Sequence, residues 1–496
     1  IVAGLFFIVT TAGSELTIKC IFLLFFIHTG GAQIIDMMML VVDVVKGMQT
    51  QTAECLVIGE ILCEKMVVVL NKVDLIPEQK RQATIEKMTK RMLKTLENTK
   101  FANSTVIAVA ANVGASEITT DVQRIGMDQL ITCLQSQAYI PTRNPEGSLL
   151  FSVDHCFSIR GQGTVMTGTV LNGSVSVNDN VEIPILKETK KVKSMQMFRK
   201  PVKSIVQGDR AGICVTQFDP KKLERGVVCS PGFLPTLYGG IVKVHKIPYF
   251  KGKCLNKAKF HITVGHETVM GKLQFFGKPP SDNDHVDEEQ FSTDTEYEFQ
   301  EELNEKTQTK LANTNDRETQ YVMIEFDHPV IGQADSLVIG SRLDTDINLN
   351  TCRLAFYGRI VLPFLSRDYQ KEELPKLKIF KWKSKEGTVE RMADEYSVIV
   401  KSLFKKETNL ALFTNMKVKL SSGDEGTIEG SFGQSGKIKV RIPKGLADST
   451  KERLSTTKKG KGKQANENGS EAKEPIKVLL EFKKYIYDSS HKMIQT

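Results

Sequence analysis

Two short apolar runs near the start of the chain, residues 37–42 and 66–70, are each followed by polar residues. Both are rich in Met or β-branched residues and are bounded by turn residues, which is typical of buried parallel strands. The region from 36 to 137 alternates strand and helix character: strand to 45, helix 52–63, strand 66–70, helix 78–96, strand 104–109 and helix 128–137. This alternation predicts an α/β domain with a parallel sheet and crossover helices.

The second apolar run ends in the tetrapeptide Asn-Lys-Val-Asp at residues 71–74. In an open α/β sheet, ligands bind beyond the carboxyl ends of the strands. A carboxylate there can accept hydrogen bonds from N1 and N2 of guanine, and the Lys stem can lie along the base. Such a tetrapeptide also occurs by chance in surface loops, but its position at a strand end favours nucleotide binding.

The pattern changes after a Pro-containing segment at 140–145, which predicts a linker because prolines disfavour helix on either side. Between 148 and 245, short alternating runs are separated by glycines, which predicts an all-β barrel or sandwich. Strand character continues over 255–360, where an acidic segment at 279–319 has few apolar residues and is predicted to be disordered. Apolar and basic residues then alternate within 376–496, and the strand period of two places the cations on one face.

Composition adds limits to this picture. The 496 residues are enough for about three or four domains. A net charge of +9 suits a partner rich in phosphates, although such an excess also occurs in proteins that bind none. The nine cysteines form no Cys-x-x-Cys pair, which indicates a reducing compartment without a disulfide framework or a zinc site.

Residues 1–28 contain two apolar stretches, 4–9 and 18–27, and neither approaches the roughly 18 uninterrupted apolar residues that a membrane span needs. Glu15 and the lack of a basic start argue against a signal peptide. The chain begins with Ile1 rather than Met. We expect residues 1–28 to be foreign to the fold and to come from a faulty gene model or an alternative first exon.

Three segments, 30–36, 42–51 and 71–74, resemble the middle of the G domain of translational GTPases. The likeness is closest to the eukaryotic selenocysteine-specific elongation factors. The resemblance implies a guanine site made of two loops, in which a backbone N–H near Ala111 reaches O6 of the base. The residues that it assigns to this site are Asn71, Lys72, Asp74, Ala110, Ala111 and Asn112.

A GTPase needs a loop of the form Gly-x-x-x-x-Gly-Lys-Ser/Thr, which cradles the phosphates and holds magnesium. The 496 residues contain none: the segment 430–437 has a spacing one residue too long and lies in β context, which predicts a hairpin turn. His28 does not stand at the family's catalytic position, so we assign no catalytic residue and no metal ligand. The family implies GTP and Mg²⁺ as cofactors, but we expect this chain to bind GTP weakly and to hydrolyse essentially none.

Residues 153–168 resemble the second domain of elongation factors that deliver aminoacyl-tRNA, although Gly-x-Gly alone would indicate only a hairpin turn. By this resemblance Asp154, His155 and Arg210 form a selenocysteine pocket. A selenol is largely ionised at neutral pH, so Arg210 with a protonated His155 would select the anion by charge, and Asp154 would help to keep His155 charged. The alternative is that each is an ordinary residue of the barrel rim.

Segments 402–409 and 430–437 resemble the extra C-terminal domain of the same family. Its candidate RNA contacts are Lys405, Lys406, Lys437, Lys439, Arg441, Lys483 and Lys484. Such lysine-rich faces are often only solvated, but interleaved aromatic residues favour stacking with RNA bases. These aromatic residues are Phe380, Trp382, Phe404 and Tyr485.

These observations predict a multidomain chain: a partial α/β P-loop-type G domain, then all-β barrel domains and a C-terminal basic β-rich domain. The predicted divisions are 1–28, foreign; 29–142, truncated GTP-binding domain; 143–228, barrel that binds aminoacyl-tRNA; 229–368, barrel with the acidic insertion 279–319; and 369–496, basic domain with a disordered loop at 451–474.

The family resemblance implies GTP-dependent delivery of selenocysteinyl-tRNA to the ribosome at UGA codons, by a cytoplasmic monomer that does not contact membranes. It also implies a partner protein that binds the selenocysteine-insertion element of the messenger RNA. One alternative is a general aminoacyl-tRNA delivery GTPase. Another is a non-catalytic RNA-binding or regulatory fragment.

Overall fold

The computed structural model describes residues 6–10, 35–111, 125–139, 141–143, 145–279, 290–304, 319–344, 351–433, 436–459, 475–488 and 493–495. It forms two compact units, one within residues 1–275 and 300–369 and the other within residues 276–299 and 370–496. Among the helices of these ranges, none has the length and apolar character that crossing a membrane would require.

The first domain is built on a parallel sheet. Its strands are β1 (Phe6–Thr10), β2 (Met37–Asp43), β3 (Lys65–Asn71) and β4 (Thr105–Ala108), and its helices are α1 (Thr50–Leu62), α2 (Glu78–Leu96) and α3 (Met127–Gln137). The strand order is β1-β2-β3-β4, and β2 and β3 pair from Met37 with Lys65 to Asp43 with Asn71. The predicted α/β domain is therefore confirmed, and the polar ends of β2 and β3 lie side by side.

Strand β1 lies within the segment that we expected to be foreign to the fold. Its backbone pairs in parallel with residues 37–41 of β2 and forms the edge of the sheet. The edge of β2 otherwise offers unpaired N–H and C=O groups, which an extended segment can satisfy. Residues 6–10 therefore belong to the sheet, contrary to that expectation.

Helix α1 is buried on more than one side. Four consecutive residues, Cys55 to Ile58, are 2–4% exposed. A helix that is apolar all round is buried rather than lying at a surface. The same apolar cluster contains sheet residues and four residues of the third domain: Ile247, Leu337, Ile339 and Leu354. Helix α1 therefore packs both on its own sheet and on the third domain.

The second domain is a closed antiparallel barrel. Its strands are β5 (Leu150–Ile159), β6 (Gly163–Asn172), β7 (Ser174–Ser176), β8 (Asn180–Ile183), β9 (Glu188–Met197), β10 (Lys200–Val202), β11 (Ser204–Val206), β12 (Arg210–Val215) and β13 (Gly226–Cys229). The barrel order is β9-β12-β6-β5-β13-β8, and the pairing of β8 with β9 closes it. Strand β10 adds to β9, and β7 pairs with β11.

The third domain is a second closed barrel. The strands in this part of the chain are β14 (Thr236–Lys246), β15 (Lys259–Val264), β16 (Glu267–Gly277), β17 (Tyr297–Gln300), β18 (Gln320–Ile331), β19 (Leu337–Ser341) and β20 (Leu354–Phe364). The order β15-β19-β20-β14-β18-β16 is closed by the pairing of β15 with β16. Each closed barrel confirms the all-β prediction for its part of the chain.

The sequence predicted that the acidic segment 279–319 is disordered, but part of it has a defined structure. Residues 290–304 are described and include β17, with Tyr297 and Leu303 only 1% and 3% exposed. Tyr297 stacks on Phe291, with 5.3 Å between ring centroids. These few apolar residues anchor a mostly polar stretch, so the prediction of disorder is wrong there. Residues 280–289 and 305–318 lie outside the described residues.

The second unit is a third closed barrel. Its elements are α4 (Tyr369–Glu372), β21 (Ile379–Asp394), β22 (Ser397–Lys401), β23 (Lys417–Leu420), β24 (Glu425–Phe432), β25 (Lys437–Arg441), α5 (Asp448–Lys459), β26 (Lys477–Tyr485) and β27 (Met493–Ile494). The order β21-β22-β25-β24-β23-β26 closes through the pairing of β21 with β26. Strands β24 and β25 form an antiparallel hairpin, as predicted for 430–437.

The predicted disordered loop at 451–474 begins inside helix α5. The Asp424 carboxylate accepts hydrogen bonds from the Thr450 hydroxyl at 2.6 Å and from the Ala447 amide at 3.2 Å, at the start of this helix. Leu454 is 9% exposed and joins the barrel core. A polar cap and one apolar anchor thus order the first part of a Lys-rich segment. Residues 460–474 lie outside the described residues.

Candidate functional site

The Asn-Lys-Val-Asp tetrapeptide lies at the carboxyl end of β3, as predicted. Lys72 adopts a left-handed backbone conformation with a φ of 69°, which turns the chain from β3 into a short 3-10 helix over Val73–Leu75. The Asn71 side-chain oxygen accepts hydrogen bonds from the amides of Lys72, at 2.8 Å, and Ala111, at 3.2 Å. Asn71 therefore joins the two loops that the sequence assigned to guanine binding.

The amides of the second loop are already engaged. Ala110 donates its N–H to the Ile125 carbonyl at 3.0 Å, and Ala111 donates to Asn71. Both N–H groups thus have partners within the protein, and the contact of an N–H near Ala111 with O6 of a guanine base stays a prediction. Asn112 lies outside the described residues.

Lys72 is held by a residue that the sequence analysis missed. Its ammonium lies 2.9 Å from the Asp43 carboxylate, which ends β2 and is 4% exposed. The other carboxylate oxygen accepts the amides of Val45 and Lys46, at 2.9 and 3.1 Å. Burial alone would raise the pKa of Asp43, but the hydrogen bonds and charge of Lys72, together with those two amides, outweigh it and lower the pKa. An Asp at the end of a neighbouring parallel strand was the signal that could have revealed this partner.

Asp74 differs from Asp43 in that its carboxylate is open to a ligand. It is half-buried in the 3-10 helix and, within the described ranges, forms no hydrogen bond or ion pair. A carboxylate in this state can accept the N1 and N2 hydrogens of a guanine ring. The Asp74 carboxylate is therefore compatible with a guanine base. The described residues contain no group of three His, Cys, Asp or Glu side chains that could hold a metal ion, so no Mg²⁺ ligand is assigned.

In the second domain, Asp154 and Arg210 lie together at the rim of the barrel. Asp154 occupies a β-bulge between Val153 and His155, and its carboxylate forms a short ion pair with the Arg210 guanidinium. Its other oxygen accepts a hydrogen bond from the Thr167 hydroxyl at 2.8 Å. Asp154 is 7% exposed, whereas 47% of the Arg210 side chain is exposed. A buried carboxylate thus fixes an accessible guanidinium, and Thr167 is a further residue that sequence reasoning missed.

His155 is exposed beside this pair. Within the described part of the chain, the Asp154 carboxylate contacts Arg210 and Thr167 but not His155. Both carboxylate oxygens of Asp154 accept from donors on other strands of the barrel, Arg210 on β12 and Thr167 on β6. A contribution of Asp154 to the charge of His155 stays a prediction.

Comparison with known proteins shows which family the chain belongs to. Four family models match: "Elongation factor Tu GTP binding domain" at 27–142, "Elongation factor Tu domain 2" at 163–230, "Selenocysteine-specific elongation factor, eukaryotes, 3rd domain" at 241–358 and "eEFSec C-terminal RIFT domain" at 375–492. A mouse selenocysteine-specific elongation factor is 53% identical over 94% of this chain and 84% of its own length. The chain belongs to the selenocysteine-specific elongation factor family.

More distant members show the same relationship. A selenocysteine-specific elongation factor of Methanocaldococcus jannaschii is 27% identical over 82% of this chain and 78% of its own length. Crystal structures of translation elongation factor SelB from Methanococcus maripaludis, apo and with the GTP analogue GppNHp, superpose with TM-scores of 0.61 and 0.64 at 23% and 24% identity. They cover 96% and 94% of this chain and 89% and 88% of their own chains, which shows a common fold.

In the C-terminal domain, the predicted RNA-binding cations are not equivalent. Lys405, Lys406, Arg441 and Lys484 are exposed, whereas Lys437 and Lys439 are half-buried. The latter two form ion pairs with Glu390 and Glu429, at 2.8 and 3.0 Å. The alternation along β25 agrees with the predicted period of two, since Ile438 and Val440 are fully buried between the cations.

Lys483 does not present its charge to a partner. It is 9% exposed, its ammonium lies 2.8 Å from Glu296, and it sits 4.5 Å from the Phe380 ring centroid. The Tyr485 hydroxyl donates a short hydrogen bond to the same Glu296. Lys483 is therefore a structural cation, contrary to its predicted RNA contact.

Three of the four predicted stacking residues are also part of the core. Phe380, Phe404 and Tyr485 are 0%, 6% and 8% exposed, which removes them as stacking surfaces. Trp382 is 45% exposed. Of this aromatic set, only Trp382 can stack on an RNA base.

Proposed function

We propose that this chain binds selenocysteinyl-tRNA at the rim of its second domain and acts in GTP-dependent delivery of that tRNA to the ribosome at UGA codons. The observation that carries this proposal is the Arg210 guanidinium, which is fixed by the buried Asp154 and remains half-exposed. Membership of the selenocysteine-specific elongation factor family supports it.

The chemistry of the pair suits a selenolate. A guanidinium has five N–H donors in a fixed fork, so donors that do not contact Asp154 remain for an anion. Asp154 offsets the charge of Arg210, so a protonated His155 would add the positive charge that favours a selenolate over a neutral hydroxyl. Seryl-tRNA, which carries an uncharged side chain, would gain less from the same site.

The remaining parts of the proposal assign partners. The two loops around Asn71 hold the guanine ring of GTP, with Asp74 as the acceptor and the Lys72 stem along the base. Magnesium would accompany the phosphates, and none of its ligands is assigned here. Exposed cations of the C-terminal domain contact RNA phosphates. Further partners are the ribosome and a protein that binds the selenocysteine-insertion element. The chain acts as a cytoplasmic monomer.

Protection of the aminoacyl ester against hydrolysis tests the proposal. The 496-residue chain should protect selenocysteinyl-tRNA better than seryl-tRNA on the same tRNA body. Arg210→Ala should remove most of this preference, by about tenfold, which corresponds to one charge-assisted hydrogen bond. Arg160→Ala, at an exposed arginine of the same barrel, is the matched control and should change neither substrate. Equal loss of protection for both aminoacyl-tRNAs in Arg210→Ala would refute charge selection.

A further inference from the structure

The barrel of the second unit carries a surface pocket of about 300 Å³ beside Trp382. Trp382, Leu479 and Pro443 contribute apolar surface, and two lysines and two glutamates contribute charge: Lys417, Lys419, Glu425 and Glu481. Trp382 and Leu479 are 45% and 37% exposed. An exposed indole beside a second apolar side chain is unusual on a barrel surface, where aromatic rings are mostly buried.

The pocket exists because two neighbouring strands separate. Strands β23 and β26 pair only at Lys419 with Leu479 and at Leu420 with Val478. Beyond these pairs, the side-chain amide of Gln495 bridges the gap. It accepts from the Lys417 amide and donates to the carbonyls of Lys417 and Glu481, at 2.8 and 2.7 Å. Gln495 therefore satisfies the backbone groups of both strands while their outer faces stay open.

The indole is fixed from behind. The Phe380 ring packs against it edge-on, at 5.8 Å between centroids and 87° between planes. The Lys483 ammonium, anchored by Glu296, lies 5.8 Å from the indole centroid. Because these contacts restrict the ring, a flat ligand can stack on its exposed part with little further loss of side-chain freedom.

The groups around the indole suit a nucleotide. Lys417 and Lys419 are exposed and, within the described ranges, form no ion pair, so their ammonium groups are available to a phosphate. The Glu481 carboxylate can accept a hydrogen bond from an exocyclic amino group of a base. A volume of about 300 Å³ is at the lower end of the range for small-ligand sites, which fits one nucleotide rather than a helix.

We propose that this pocket binds one unstacked nucleotide of single-stranded RNA, with the base on Trp382 and the phosphate beside Lys417 and Lys419. This inference rests on the proposed contact of the C-terminal domain with RNA. It identifies which part of the RNA is recognised: a base in a loop, bulge or end, because a base inside a duplex cannot reach the indole. Stacking of this kind is largely independent of base identity.

Trp382 provides a direct readout, since it is the only tryptophan in the 496 residues. Titration of the full chain with a single-stranded oligocytidylate of about a dozen nucleotides should quench its fluorescence and shield it from acrylamide. The same strand annealed to its complement should bind without comparable quenching. Labelled oligocytidylate, followed by anisotropy, reports total binding independently of the indole.

Substitutions separate stacking from charge. Trp382→Ala should weaken binding of the labelled single strand about tenfold, or about 1.4 kcal/mol, whereas Trp382→Phe should retain most of the affinity. Lys417→Ala combined with Lys419→Ala should weaken binding and reduce its salt dependence. Tyr396→Ala is the matched control, because Tyr396 is 54% exposed on the same barrel but outside the pocket, and it should bind as the parent does.

The outcomes are distinguishable. Anisotropy that shows RNA binding, without indole quenching and with no effect of Trp382→Ala, would overturn the pocket while leaving the proposed RNA contact intact. Absence of any RNA binding would overturn both. Equal quenching by single and double strands, or quenching by a proline-rich peptide but not by oligocytidylate, would also exclude an unstacked nucleotide as the occupant.

Discussion

Glu54 and Arg353 form a buried ion pair that joins helix α1 of the first domain to the third domain. Their side chains are 1% and 12% exposed. The Arg353 guanidinium donates to both carboxylate oxygens, from Nε at 3.0 Å and from Nη2 at 2.8 Å, and the Arg353 amide donates a third hydrogen bond at 3.0 Å. Hydrogen bonding to Glu54, although opposed by burial, raises the pKa of Arg353 further above its ordinary value. We therefore expect Arg353 to stay charged throughout the physiological pH range.

Replacing Arg353 by Ala should be strongly destabilising at this interface. The substitution leaves the Glu54 carboxylate buried with one backbone amide as its remaining partner. Loss of one member of a buried pair costs about 3–5 kcal/mol, mainly because the other charge is left uncompensated. Arg353→Lys keeps a charge but loses the two-pronged geometry, so its effect should be intermediate.

The assay must report locally, because a multidomain chain does not unfold in two states. Hydrogen exchange of the α1 amides in the full chain measures the free energy of local opening. A loss of about 3 kcal/mol should accelerate their exchange by roughly 100-fold, since about 1.4 kcal/mol corresponds to a factor of ten. The double replacement Glu54→Leu with Arg353→Met should restore most of the protection, because apolar residues of similar volume can substitute for such a pair.

Arg359 is the matched control, because it lies in β20, the strand that begins directly after Arg353. It pairs with Asp335 at 3.2 Å, but its side chain is 58% exposed. An exposed pair contributes about 0–1 kcal/mol, so Arg359→Ala should accelerate exchange by less than about fivefold. If Arg353→Ala and Arg359→Ala had the same small effect on α1, the argument from burial would be refuted.

Three further predictions concern the other sites. Asp74→Asn should shift nucleotide preference from guanine towards xanthine, because an amide can donate to O2 of xanthine where the carboxylate accepts from guanine. Competition between GTP and XTP measures this preference. An unchanged preference would contradict the assignment of Asp74 to guanine binding. Combining Asp154→Ala with Arg210→Ala should cost no more selenocysteine selectivity than Arg210→Ala alone, since Asp154 acts by positioning the guanidinium; additive losses in the ester-protection assay would exclude that coupling. Hydrogen bonds from Lys483 and then Tyr485 lower the pKa of Glu296 below its ordinary 4.5, so its contribution to stability is complete above that pH and is lost as pH falls through the lowered value. Glu296→Gln should flatten this acid limb in thermal melts recorded across pH, and an unchanged limb would count against the ion pair.

Local patterns in the sequence were sufficient to predict the structure where it depends on which face of a strand is buried or on where a strand ends. The two apolar runs predicted to be buried parallel strands became β2 and β3, which pair in parallel. The alternation along β25 placed Ile438 and Val440 in the core, as a period of two requires. The motif residues for guanine follow directly on the end of such a strand, β3.

Side-chain partners that are distant in sequence were not predictable in this way. Lys483 and Trp382 are paired residues of neighbouring strands with similar local patterns, yet Lys483 is buried and forms an ion pair with Glu296, whereas Trp382 is exposed. Likewise Asp43 pairs with Lys72, and the buried Asp154 fixes the half-exposed guanidinium of Arg210.

The sequence by itself determined the succession of one α/β domain, all-β barrel domains and a basic β-rich domain, together with the residue types available at each strand end. These properties follow from periodicity and turn chemistry, which act over a few neighbouring residues. Only the tertiary structure decided which charges were neutralised and which remained exposed, as with Glu54 and Arg353, which are far apart in the chain and form a bidentate pair. Burial and ion pairing depend on what packs over a side chain, and that neighbour is supplied by a distant part of the chain.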